Sequence, residues 1–155
     1  MNVDEVVFLK SGSPKLMITW LVGVTPNNSP IDINKILMDR PNYIVGDISI
    51  KYFNKNNEEK LTLPANTLID NLQNRIPVKN QNLSVGNVVK HKLSDIEMTI
   101  TWVVGQIQDS NSPIKLNELY NRQGFVNGDI ACSYFDKTVH VTKLFRANEV
   151  EKIFE

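Results

Sequence analysis

The residues able to do chemistry are few and scattered. The 155-residue chain holds two histidines, His91 and His140, and a single cysteine, Cys132. A zinc site takes three or four such ligands at close spacing, and these three do not form such a set, so neither a metal nor another cofactor is expected. Cys132 alternates with Ile130 and Tyr134 and reads as a small apolar residue of a strand face. A nucleophilic thiol would need a lowered pKa and a partner base. Asp47 and Asp129 each follow a glycine and invite an acid–base reading. Gly-Asp is more simply turn chemistry, the carboxylate bonding nearby backbone. Ser11-Gly12-Ser13-Pro14 has the look of an anion-binding loop, but it lacks a following helix and the lysine spacing of a P-loop. A β-turn between strands is expected there. Asn27-Asn28-Ser29 and Asn82-Leu83-Ser84 are glycosylation sequons by pattern only.

The elements that must carry these residues come in pairs. Ile18-Thr19-Trp20-Leu21-Val22-Gly23 returns as Ile100-Thr101-Trp102-Val103-Val104-Gly105. The same offset pairs Val6-Val7 with Val88-Val89, Gly46-Asp47-Ile48 with Gly128-Asp129-Ile130, and Tyr52-Phe53 with Tyr134-Phe135. One inserted residue shifts Asn28-Ser29-Pro30-Ile31 onto Asn111-Ser112-Pro113-Ile114. Roughly a third of residues 3–68 repeat, the pattern of an internal duplication.

Period-two alternation marks the strands. Val3 to Lys10 reads as a strand. Leu16, Ile18, Trp20, Val22 and Val24 fall on one face, matched by Met98, Ile100, Trp102 and Val104, so each Trp is expected to anchor a core. Asp47 to Asn54 is a third strand, with Ile130, Cys132 and Tyr134 as counterparts. The polar run 54–58 reads as a hairpin loop, shortened to 136–138 in the second copy. Lys60 to Leu63, stopped by Pro64, and Val139 to Phe145 are the returning strands. Ala65 to Leu68 and Ala147 to Val150 read as single helical turns. Asn34 to Arg40 and Asn117 to Gln123 read as short inserted helices, capped by Asn34 and Asn117.

Four short strands cannot bury a sheet face alone, so each copy should curl into a barrel. The expected fold is mainly β: two tandem small SH3-like barrels, each with a short helix inserted between strands 2 and 3. The first module spans 1–70, a polar Asn- and Gln-rich linker 71–84, and the second module 85–155. Net charge is zero, with 17 basic and 17 acidic residues, and each half is close to neutral. Phosphate binding usually needs a basic field, so nucleic acid is disfavoured. No apolar run approaches the roughly 20 residues that span a bilayer. With a lone cysteine and an acidic N-terminal stretch, the expectation is a cytoplasmic protein without a membrane partner.

Val6-Val7-Phe8-Leu9-Lys10-Ser11-Gly12-Ser13-Pro14-Lys15-Leu16-Met17-Ile18 resembles the opening of the small bacterial YodC-like proteins. Ala131-Cys132-Ser133-Tyr134-Phe135-Asp136 and Ile50-Lys51-Tyr52-Phe53-Asn54 resemble that family's second element. The resemblance covers most of each module apart from the insert. It implies an SH3-like barrel and a bacterial cytoplasmic setting, and no chemistry. The second copy departs at Leu93-Ser94-Asp95-Ile96, where the first has Ser-Gly-Ser-Pro, and the first has Ile50 in place of Cys.

Phe53 and Phe135 follow inward tyrosines and should point outward. They could line a groove, or pack under the inserted helix against Ile36 and Leu37 or Leu119 and Tyr120. The expected function is a non-enzymatic interaction protein that binds a protein partner or forms a homo-oligomer. Candidate partner-binding residues are Phe53, Phe135, Lys51, Ser11 and Gly12. The alternatives are single-stranded nucleic-acid binding through the outward aromatics and, less favoured, an enzyme with a site at the module interface.

Overall fold

The computed structural model describes residues 1–23, 46–106 and 123–155. The stretches read above as inserted helices lie outside these, apart from Gln123, which sits in a turn. The fold is mainly β, two five-stranded antiparallel sheets. The first is built from β1 (Val6–Leu9), β2 (Leu16–Leu21), β3 (Asp47–Asn54), β4 (Asn57–Pro64) and β5 (Leu68–Ile69). The second is built from β6 (Val88–His91), β7 (Glu97–Val103), β8 (Ile130–Asp136), β9 (Val139–Phe145) and β10 (Val150–Phe154).

The two sheets share one strand order: β4-β3-β2-β1-β5 in the first and β9-β8-β7-β6-β10 in the second. In each, a fifth strand beyond the four read from periodicity crosses to the far edge and pairs with the first strand. The crossing is made by a 3-10 turn, Ala65–Thr67 or Ala147–Glu149, at the places where a helical turn was expected. β5 is two residues long and β10 is irregular in register, too little for alternation to reveal.

Each sheet has its own core. Leu9, Leu16, Ile18 and Ile50 are fully buried in the first, Val89, Ile100, Ile130 and Cys132 in the second. The tryptophans are in neither cluster, contrary to expectation. A β-bulge falls between Ile18 and Trp20, and again between Ile100 and Trp102. Past the bulge Leu21 pairs with inward Ile48, and Trp20 with Ser49 on the opposite face. Val103 and Trp102 pair likewise with Ile130 and Ala131. One extra residue thus reverses the alternation. The bulged Thr19 and Thr101 hydroxyls donate to the carbonyls of Ser49 and Ala131.

The β3–β4 and β8–β9 hairpins run on to Asn54↔Asn57 and Asp136↔Val139, so both turns contain two residues and neither is the shorter. Lys55 and Lys137 take positive φ in these turns. Asn57 and Glu58 read as loop because both are polar, yet both are paired and exposed at the hairpin arm. Gly46 and Gly128 adopt φ of 98° and 96° in otherwise open surroundings. They are needed there for conformation, not for space.

Trp102 is 7% exposed and Trp20 only half-buried. Trp102→Ala should therefore cost about 3–5 kcal/mol, and Trp20→Ala no more than about 2 kcal/mol. Equilibrium denaturation of the two variants checks this; equal losses would show that the two outer faces are equally covered.

Candidate functional site

The two sheets meet through the outer face of the second. Thr99 pairs in register with Ser133, and both are buried although they sit on the face away from the second core. The Thr99 hydroxyl accepts from the Ser11 amide at 3.0 Å and donates to the Ser11 hydroxyl at 2.8 Å. Along β8, Phe135 lies against the first core, its ring edge-to-face with Tyr52 at 5.1 Å between centroids. The Thr138 hydroxyl donates to the Asn54 side chain at 2.8 Å. Asn66 donates to the Val85 carbonyl. Residues 71–84 join this contact: Arg75 reaches Glu97 at 2.8 Å and stacks over Phe154, and the Lys152 ammonium donates to the Asn82 carbonyl. Gly86 sits tight against Asn66, whose backbone oxygen would lie 2.4 Å from any added Cβ.

Counterparts of these contacts stand open in the second module. A cleft of about 210 Å³ is lined by His91, Ser94, Ile96, Met98, Tyr134, Lys143 and Phe145. The β6–β7 turn forms one wall and Tyr134 of β8 with Lys143 and Phe145 of β9 the other. The turn is held by the Ser94 amide on the His91 carbonyl, the Leu93 amide on His91 Nδ1 and the Ile96 amide on the Ser94 hydroxyl. The His91 ring leans on Phe145 at 5.3 Å, and its Nε2 is 3.7 Å from Glu149. The Lys143 ammonium lies 5.9 Å over the Tyr134 ring. Ile96 is 49% exposed and Leu93, on the same turn, 90%.

In the first module the equivalent residues are Leu9, Gly12, Pro14, Leu16, Tyr52, Leu61 and Leu63. Here Leu9, Leu16, Tyr52 and Leu63 are buried, and Leu61 and Phe135 pack against them. At the corresponding place in the first sheet, Phe135 packs against the core with its ring edge-to-face on Tyr52, the counterpart of Tyr134. A cavity of about 150 Å³ with apolar walls holds a benzene ring, so the open cleft has room for the same kind of group.

The residues singled out from sequence separate. Phe53 is 59% exposed on the outer face of β3, while Phe135 is engaged with Tyr52. The two aromatics are therefore not a matched pair of open platforms. Lys51 lies 4.0 Å from Glu58. Ser11 is committed to Thr99 within the chain. Gly12, at φ 98°, closes the β1–β2 turn through its amide on the Leu9 carbonyl and has open space around it. The Tyr134 cleft was not read from sequence. Its signal lay in the offset: where the first copy has Leu9 and Leu61, the second has His91 and Lys143, residues suited to a wetter surface.

The reactive groups have structural surroundings. Burial pushes the Cys132 thiol up to about 12, so it stays protonated at neutral pH. Burial works to raise the Asp129 carboxyl, but the Val126 and Ala147 amides and the Arg146 guanidinium outweigh it and hold the carboxyl below its ordinary value. Asp129 thereby ties the entry of β8 to the 3-10 turn after β9. Among the described residues no three His, Cys, Asp or Glu side chains converge as metal ligands. No helix among them is long and apolar enough to cross a membrane.

The His140 ring packs tilted against Phe135 at 5.4 Å between centroids, and its buried Nε2 has no hydrogen-bond partner among the described residues. Burial holds the imidazole below its ordinary value. The unfolded chain then binds the proton more tightly than the folded one, so stability is full above about pH 6.5 and declines as pH falls below it. Stability measured from pH 7 down to about 5 should show this slope, and His140→Leu should flatten it. An unchanged slope in the variant would assign it to other groups.

Comparison with protein-family models, curated proteins and solved structures finds no match to this chain.

Proposed function

We propose that this chain is a non-enzymatic interaction protein, two tandem SH3-like barrels whose binding site is the Tyr134 cleft of the second module. The ligand is an aromatic or large aliphatic side chain presented by a protein partner. One observation carries this reading. Phe135 packs against Tyr52, the counterpart of Tyr134, at the edge of the first core, which supports an aromatic side chain as the occupant of the open cleft. The order of strands, with a 3-10 turn before a final strand that returns to the first, supports the barrel reading. The shared order, the bulges in matching positions and the sequence offset support duplication of one module of YodC-like type, with 1–70 and 85–155 as the copies and 71–84 as linker. A cytoplasmic, bacterial setting belongs to the same proposal.

Charge favours a protein over a nucleic acid. The chain has no net charge, and of the two aromatics that would form stacking platforms only Phe53 stands open.

The minimal probe is N-acetyl-phenylalaninamide, titrated into the isotope-labelled protein. At about 0.3 kcal/mol per non-hydrogen atom, binding on the order of 1 mM is expected. Amide shifts should cluster at Ile96, Met98, Tyr134 and Phe145, and Ile96→Asp should abolish them. Shifts spread over both modules, or unaffected by Ile96→Asp, would refute the cleft as the site.

A further inference from the structure

We propose that the occupant of the Tyr134 cleft is Phe53 of a second copy of this chain, so that copies associate head to tail. This rests on the reading of the cleft as a side-chain seat and names its partner. The template is the contact between the modules of one chain. There the outer face of the second module, through Thr99, Phe135 and Thr138, sits on Ser11, Tyr52 and Asn54 of the first.

Shifting every residue of that contact by the repeat offset gives the contact between copies. Tyr52 with Phe135 becomes Tyr134 with Phe53. Tyr134 lines the open cleft and Phe53 is 59% exposed. Ser11 with Thr99 becomes Leu93 with Met17. A polar pair is thereby replaced by an apolar pair, and Leu93 is 90% exposed, an arrangement that costs solvation in an isolated chain. Asn54 with Thr138 becomes Asp136 with Asn56, still an acceptor opposite a donor. Asn66 with Val85 becomes Asn148, exposed, with Val3, 48% exposed. Independent residues on both surfaces thus stay complementary under one operation.

The replica departs at two positions. Glu97, paired with Arg75 in the template, corresponds to Lys15, which carries the opposite charge, so that ion pair is not reproduced. Gly86, pressed against Asn66, corresponds to Asp4. Asp4 holds φ 70° without being glycine, and in the replica its Cβ would meet the backbone of Asn148. The turn from Asn2 to Glu5 must therefore shift when copies meet, which weakens association relative to the contact within the chain. Each copy carries one Phe53 and one Tyr134 cleft, so the interface is heterologous and extends into a chain or closes into a ring.

Sedimentation velocity on the full chain, over a range of concentrations, tests this. The wild type should grow in mass with concentration. Asp4→Gly, which removes both the positive-φ strain and the obstructing Cβ, should associate about tenfold more tightly. Phe53→Asp and Leu93→Asp, both at exposed positions, should each be monomeric. Mixed in equal amounts they should form a discrete 1:1 dimer, because one retains the cleft and the other retains Phe53. The proposal is overturned if wild type and Asp4→Gly are both monomeric throughout. Association untouched by either Asp substitution, or no dimer in the mixture, would overturn it equally. If the protein is monomeric while N-acetyl-phenylalaninamide still binds at Tyr134, the cleft stands and only the second copy is rejected.

Discussion

The edge-to-face contact of Phe135 with Tyr52 organises the rest of the molecule. Small sheets are short of covering material. A five-stranded sheet with one buried face still leaves its inward aromatic at the open end of the core. In the first module that end is closed by a residue from outside the module. Tyr52 consequently reaches 8% exposure, while Tyr134, with no aromatic ring packed on it among the described residues, lines a cleft. Two modules of matching strand order therefore present different surfaces, one satisfied within the chain and one open. The proposed function rests on that asymmetry and not on a reactive group.

The polar contacts around the aromatic pair give it direction. Ser11 and Thr99 exchange hydrogen bonds in a buried setting, where an unpaired hydroxyl or amide would be costly. Arg75 binds Glu97 from the segment joining the modules, and Lys152 and Glu155 hold the same segment along β10. Gly86 allows the backbones of the two modules to approach more closely than any side chain would permit. Such a contact is specific in register, which is the basis for transposing its Ser11, Tyr52, Asn54 and Asn66 pairs by the repeat offset in the proposed association.

Much of the fold is legible in the sequence because it is local. Alternation in β3 and β8, the stop at Pro64 and the turns at Gly46 and Gly128 each follow from neighbouring residues. The bulges are not legible, because Ile18-Thr19-Trp20 continues to look like alternation while the backbone inserts an unpaired residue. The start of β4 is hidden by its polarity, and β5 by its length. The site was harder still. Phe53 and Phe135 have nearly the same local sequence, Tyr-Phe-Asn and Tyr-Phe-Asp. Only tertiary packing makes one exposed and the other engaged. The replacement of Leu9 by His91 and of Leu61 by Lys143 did record that difference, but as a contrast between copies and not as a motif.

The central claim is that Phe135 and Tyr52 form an energetically coupled seat between the modules. A double-mutant cycle with Tyr52→Leu and Phe135→Leu, read by equilibrium urea unfolding, measures that coupling directly. An edge-to-face pair predicts a coupling of about 0.5–1.5 kcal/mol. Losses that add to within about 0.3 kcal/mol would contradict it, and with it the template for the proposed occupant of the cleft.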